Sequence, residues 1–152
     1  MKIVSGGQTG VDRAALDAAV ERGVETGGWC PERRKAEDGI IPEKYQVKEL
    51  HGSDYRQRTK RNIIDSDGTA IIYFGYPTGG TEQTIVFCIK ERKPYVLIDA
   101  EEISVEQASR KIGRIIMDHS ISVLNVAGPR ASGEPRAYEY AKNVILSVLT
   151  IC

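Results

Sequence analysis

The stretch SGGQTGVDRAALD, Ser5–Asp17, follows the short apolar run Lys2-Ile3-Val4 and runs into an alanine-rich pattern. Lys2–Ser5 reads as a buried first strand. Val11–Arg22 reads as a helix, with Ala15, Leu16, Ala19 and Val20 on one face and Gly23 as its stop. Between them stand Gly6, Gly7, Gln8, Thr9 and Gly10. Glycines at such a junction let the backbone approach a ligand closely, and the free N–H groups at a helix start favour an anion. The junction is neither GxGxxG nor a P-loop with its GK[ST] lysine, which disfavours an ordinary triphosphatase or dinucleotide enzyme. A tight strand–helix turn explains the same residues equally well. Arg13 opposes the dipole of the helix it begins, so pairing with Asp12, Asp17 or a phosphate is its better use. Asp12 serves either as a plain cap or as a ligand contact.

Working outward, the same strand–loop–helix grammar recurs. Thr26–Tyr45 has no clean period and reads as a long ordered loop, since Trp29 and Ile40-Ile41 argue against disorder. Tyr45–Leu50 suggests a short strand. Ser53 is placed to cap a helix running to about Asp65, with Asp54 at its positive end. Gly68–Tyr73 is a β-branched strand, followed by the glycine loop FGYPTGGTEQT and a helix over Glu82–Glu91. Tyr95–Ile98 is a strand, and Ser104 with Gln107 makes a capping box for a helix to about Asp118. Ser122–Val126 is the last strand. A polar loop, Asn125–Glu134, leads to a final helix with Ala137, Ala141, Val144, Ile145, Val148 and Leu149 at helical spacing.

Strands alternating with helices predict a Rossmann-like α/β/α fold: a single domain, three layers, with a mostly parallel, doubly wound sheet. Parallel strands end on one rim, where ligands bind at the switch in strand order. The loops at Ser5–Gly10, Phe74–Thr81 and Val126–Gly133 should all lie there. Gly79, Gly80 and Thr81 repeat the donor logic of the first loop, and two such loops on one rim favour a phosphate-bearing or oxyanion ligand. Trp29 stands beside the basic run Arg33-Arg34-Lys35. It is either core or a stacking surface for a heterocycle, and the run is either a solvated loop or a reach toward an anion. Tyr55, Thr59 and Asn62 share a helix face, and Arg58 lies four residues before Asn62. Asn125–Arg130, NVAGPR, brings Gly128 and Arg130 to the same rim.

The chain has 152 residues, 41% hydrophobic and 28% charged, which suits one folded domain. Its 21 basic and 21 acidic residues cancel, which disfavours a nucleic-acid binder. No apolar run is long enough to span a membrane, and no signal peptide is evident, so a cytoplasmic protein is expected. Cys30, Cys88 and Cys152 are scattered, which fits reduced thiols, and neither His51 nor His119 sits in a ligand-like cluster.

Taken together, SGGQTGVDRAALD, GGWCPERRKAEDGIIPEKY, YRQRTKRNIIDSDGT, FGYPTGGTEQT and NVAGPR resemble the molybdenum cofactor carrier family, in family order and over nearly the whole chain. The resemblance implies a Rossmann-like fold related to the lysine-decarboxylase-like phosphoribohydrolases. It implies binding of molybdenum cofactor, a reduced pterin that ends in a phosphate, or of a related phosphate-bearing ligand. Trp29 or a tyrosine would then cover the pterin, and Asp12 or Asp67 would read its amino-pyrimidinone edge. The implied partners are the cofactor itself and molybdoenzymes or cofactor-synthesis proteins, with a homo-oligomer; the apolar face of the last helix and Ile115-Ile116-Met117 either form its interface or pack on the sheet. The phosphoribohydrolases carry PGGxGTxxE. Here Thr78–Thr84, TGGTEQT, lacks the leading proline and one intervening residue, which puts a catalytic use of Glu82 in doubt. Two readings stand beside the carrier: a nucleoside-monophosphate phosphoribohydrolase using Glu82 with Arg58 or Arg130, and a sensor that only binds a nucleotide derivative.

Overall fold

The computed structural model describes residues 1–52 and 54–152. A central five-stranded sheet is built from β1 (Lys2–Val4), β2 (Glu25–Gly27), β7 (Gly68–Tyr73), β8 (Tyr95–Asp99) and β9 (Val123–Ala127) in the order β2-β1-β9-β7-β8. All of its pairings are parallel, with Val4 opposite Asn125 and Ala70 opposite Val126. The α/β/α expectation holds. One face is covered by α1 (Val11–Glu21), α4 (Val105–Asp118) and α5 (Ala137–Ile151), the other by α2 (Tyr55–Ile64) and α3 (Gly79–Lys90).

Period-two alternation assigns the strand side chains to these layers. Ala70 and Ile72 join Ile3, Leu124, Val126 and the inner faces of α1, α4 and α5 in the larger core. Ile71, between them, packs instead with Ile63 of α2 and Phe87 and Cys88 of α3. The apolar face of α5, offered by the sequence as an oligomer surface, is spent here: Ala137, Ala141, Val144, Ile145 and Val148 are fully buried within the chain. Of Ile115-Ile116-Met117, Ile116 is buried and Met117 exposed. Val20, placed on the buried face of α1 by periodicity, is also exposed, because Leu16 packs sideways onto Cys30, Ile41, Tyr45 and Val47.

Residues 26–45 are not the strandless loop expected. β2 adds an edge strand to the main sheet. β3 (Trp29–Pro31) pairs with β6 (Lys48–Leu50), and β4 (Lys35–Ala36) with β5 (Gly39–Ile40). Strands this short have no room for a hydrophobic period. The helix α2 is capped by Asp54 in a reciprocal box with Gln57; the expected cap Ser53 lies outside the described residues. Ser104 and Gln107 form the predicted box on α4.

Counted from β7, the sheet order becomes 2-1-3-4-5, the flavodoxin-like arrangement. Its switch point lies between β7 and β9, whose following helices, α3 and α5, go to opposite faces. The rim loops therefore part at that place and leave a crevice.

Candidate functional site: a cationic cavity at the rim

Four segments enclose a cavity of about 370 Å³ at this crevice: the loop after β1, one face of α2, the first turn of α3 and the loop after β9. From α2 come Tyr55, Arg58, Thr59 and Asn62, whose spacing puts them on one helix face. Tyr55 shares the helix face read from the sequence for Thr59 and Asn62. Its ring lies under the Arg130 guanidinium at 4.7 Å and near that of Arg58 at 5.9 Å, so it holds two cations at the cavity wall.

Arg58 lies across the β1 loop so closely that a Cβ on Gly6 would sit 1.8 Å from its Nη1. Among the described residues its ionic partner is Asp12, at 3.7 Å, which is beyond hydrogen-bond reach, and its buried Nε has no hydrogen-bond partner. Neither Arg58 nor Arg130 donates a side-chain hydrogen bond to a protein acceptor among the described residues. Asp12 is 6% exposed and accepts from the Gln8 N–H at 3.2 Å. Burial pushes its carboxyl above the usual carboxylate range, while Arg58, the Gln8 amide and Arg130 pull it back. Two guanidiniums against one carboxylate leave the walls cationic.

The first turn of α3 adds backbone donors. This helix begins at Gly79, three residues before the expected Glu82, because a glycine pair hides a helix start from propensity. The Thr81 and Glu82 amides turn back to the Thr78 carbonyl, at 3.1 and 3.4 Å. Those of Gly79 and Gly80 have no protein acceptor among the described residues, and a Cβ on either glycine would meet nothing within 4 Å. Uncapped amides at a helix start beside two guanidiniums suit a phosphate or another oxyanion.

The loop after β1 alternates in role. Gly6 and Gln8 line the cavity; Gly7, Thr9 and Gly10 do not. Gly7 (φ 74°) packs on Ile41 and Val47. Gly10 (φ 79°) lets the loop after β9 cross it, since a Cβ there would lie 2.4 Å from the Pro129 carbonyl oxygen. Thr9 donates its hydroxyl to Glu37 and accepts from the Ala131 N–H at 3.2 Å. Gly128 lines the cavity but is required by packing, with Ile72 O and Val11 Cγ2 each 2.6 Å from where its Cβ would be.

Further expected ligand contacts lie elsewhere. Arg13 makes a two-pronged ion pair with Asp38, at 2.7 and 3.0 Å, and donates to the Gly7 carbonyl; that pairing resolves its awkward place at a helix start. Arg33 is exposed on a tight 3-10 turn, Glu32–Arg34, away from the cavity. Trp29 faces a second groove on the sheet, where its Nε1 donates to Asp65 at 2.8 Å and Arg61 stacks on its ring at 4.9 Å. Asn62 bridges the two places: it lines the cavity, and its carboxamide both accepts from the Trp29 N–H and donates to the Trp29 carbonyl. Asp67 is at the opposite end of the sheet, accepting from the Ser122 and Val123 amides. Glu82 does not line the cavity. Among the described residues no group of three or more His, Cys, Asp or Glu side chains is placed to hold a metal ion. No helix among them is long and apolar enough to cross a membrane.

The sequence profile described as "Circularly permutated YpsA SLOG family" matches residues 3–149. No curated protein matches the chain. Among solved structures, the crystal structure of a "Putative molybdenum carrier protein" from Syntrophus aciditrophicus SB is similar at 46% sequence identity, with a TM-score of 0.95. The similarity covers 97% of this chain and 94% of that one.

Proposed function

The chain belongs to the circularly permutated YpsA SLOG family, and from that footing we propose that its rim cavity binds a phosphate-bearing anionic cofactor of the molybdopterin kind and carries it without chemical change. The observation that carries this reading is the pair of amides of Gly79 and Gly80, without a protein acceptor among the described residues, opening on the same cavity as two guanidiniums that donate to none of the described protein groups. The solved relative's name, a molybdenum carrier, supplies the cofactor.

The residues fit that cargo. The α3 amides with Arg130 and Arg58 take the phosphate, and Tyr55 offers a flat face. The metal of such a cofactor would be held by the pterin's own dithiolene. Trp29 has no part in this version of the site. The phosphoribohydrolase reading needs a carboxylate on the wall; with Glu82 outside, Asp12 alone remains, held by the Gln8 amide and faced by Arg58. A binder that does not turn over its ligand is the reading that the paired amides and guanidiniums support best. With it go a cytoplasmic setting, self-association, and exchange with molybdoenzymes or cofactor-synthesis proteins.

The test is expression in a cell that makes molybdopterin, followed by gentle purification, mild oxidation and measurement of pterin fluorescence. Retained pterin is expected for the unaltered chain and a loss of most of it for Gly80→Val, whose Cβ would meet no protein atom within 4 Å and whose branch would crowd the anion end. Equal retention by both, or release of free base from adenosine monophosphate, would overturn the proposal.

A further inference from the structure

Gln8 is a buried amide with half of its hydrogen-bonding capacity committed and half unused. Its Oε1 accepts from the Thr9 N–H at 3.1 Å and the Glu37 N–H at 2.9 Å. Two backbone donors on that atom fix which end of the carboxamide is oxygen, so the other end must be the NH₂. That Nε2 is buried and has no partner among the described residues, in a residue only 5% exposed that lines the cavity. Buried donors are nearly always satisfied, so an idle one on a cavity-lining residue points to a ligand acceptor as its partner. Asp12 lines the same cavity; among the described residues its buried carboxylate accepts from the Gln8 backbone N–H, at 3.2 Å, and faces Arg58 at 3.7 Å, which leaves further acceptor capacity on its oxygens.

We infer that Gln8 determines the cavity's choice of heterocycle: its Nε2 donates to a ring carbonyl of the ligand, while Asp12 accepts from the ring N–H or amino group next to it. A donor and an acceptor on one wall complement a lactam edge, which presents a carbonyl beside an N–H. Guanine and pterin rings share that edge; adenine presents an amino group where they present the carbonyl. The inference rests on the proposed binding of a phosphate-bearing ligand in this cavity, and it adds the part of the ligand away from the phosphate. A site built to donate to a carbonyl penalises an analogue that offers a second donor, because the buried donor is then left unpaired.

The test titrates the purified protein with guanosine monophosphate, adenosine monophosphate, a pterin monophosphate and pyrophosphate, by calorimetry. The unaltered chain should bind the guanine or the pterin compound, or both, at least about tenfold more tightly than the adenine compound. Which of the two binds tighter distinguishes a nucleotide ligand from a pterin ligand. Gln8→Glu keeps an oxygen for the Thr9 and Glu37 amides but replaces the donor; it should bring the preference to within about threefold while pyrophosphate binding persists. Gln8→Met serves as a second variant without either polar end, and melting curves confirm that each folds. Equal affinity for adenine and guanine compounds, or an unchanged preference in both variants, would overturn the inference. Pyrophosphate binding without heterocycle preference would sink this inference alone. Failure of pyrophosphate to bind at all would sink the anion reading beneath it as well.

Discussion

Arg34 shows how a single side chain organises what the sequence leaves shapeless. Its guanidinium donates to four carbonyls, those of Ile41, Pro42, Tyr45 and Val47, at 2.8 to 3.0 Å. It thereby gathers a turn that is otherwise without regular structure and seats Ile41, Tyr45 and Val47 on Leu16. The anion expected near this basic run is replaced by backbone oxygen. Charge-assisted bonds of this kind are worth more than neutral ones, so Arg34→Ala should cost about 2–3 kcal/mol, measured by urea unfolding. Arg34→Lys should recover little, because a point ammonium cannot span four carbonyls. The neighbouring Arg33 makes none of these contacts, and nothing in the sequence separates the two.

At the scale of elements, the β4–β5 hairpin is a strap across two rim loops. Glu37 takes the Thr9 hydroxyl together with the Ser132 N–H and hydroxyl, tying the β1 loop to the β9 loop, and Asp38 holds Arg13. The Ser132 and Thr9 hydrogen bonds hold the Glu37 carboxyl below its usual range, and Arg13 does the same for Asp38. Carboxyls lowered in the folded state contribute stability above their ordinary values, and lose it as pH falls through the folded ones. Protection of the amides at residues 36–40, relative to their intrinsic exchange rates, should therefore fall below about pH 4, while the β7 and β9 amides stay protected. Uniform protection across that range would show that the strap is held by packing alone. The sequence does not show these pairings, because the partners lie 25 or more residues away and no local pattern reaches that far.

For the whole molecule, the sheet order makes chain connectivity separable from architecture. Joining residues 152 and 1 through a flexible linker of about ten residues, and opening the chain between Ser66 and Asp67, leaves every strand in its place and gives the order 2-1-3-4-5. Such a permutant should fold, with helical circular dichroism and a cooperative melt, and should keep the pyrophosphate affinity of the parent to within about threefold. An unfolded product would mean that the first βα unit must precede the rest in the chain.

The alternation of strands and amphipathic helices, the capping box on α4 and the glycine-rich loops after β1, β7 and β9 were all legible in sequence, because each is a local pattern of hydrophobicity, capping or turn chemistry. These determined the layered fold and the rim on which a site would lie. Which glycines face a ligand and which serve packing was not legible: Gly6 and Gly80 open on the cavity, while Gly10 and Gly128 make room for a neighbouring backbone. Nor was the release of Arg13 and Trp29 to other partners, or the idle donor of Gln8. Those outcomes depend on chain segments that meet only when the sheet is assembled, and a hydrogen bond or a close approach is decided by distance in space, to which separation along the chain gives no measure.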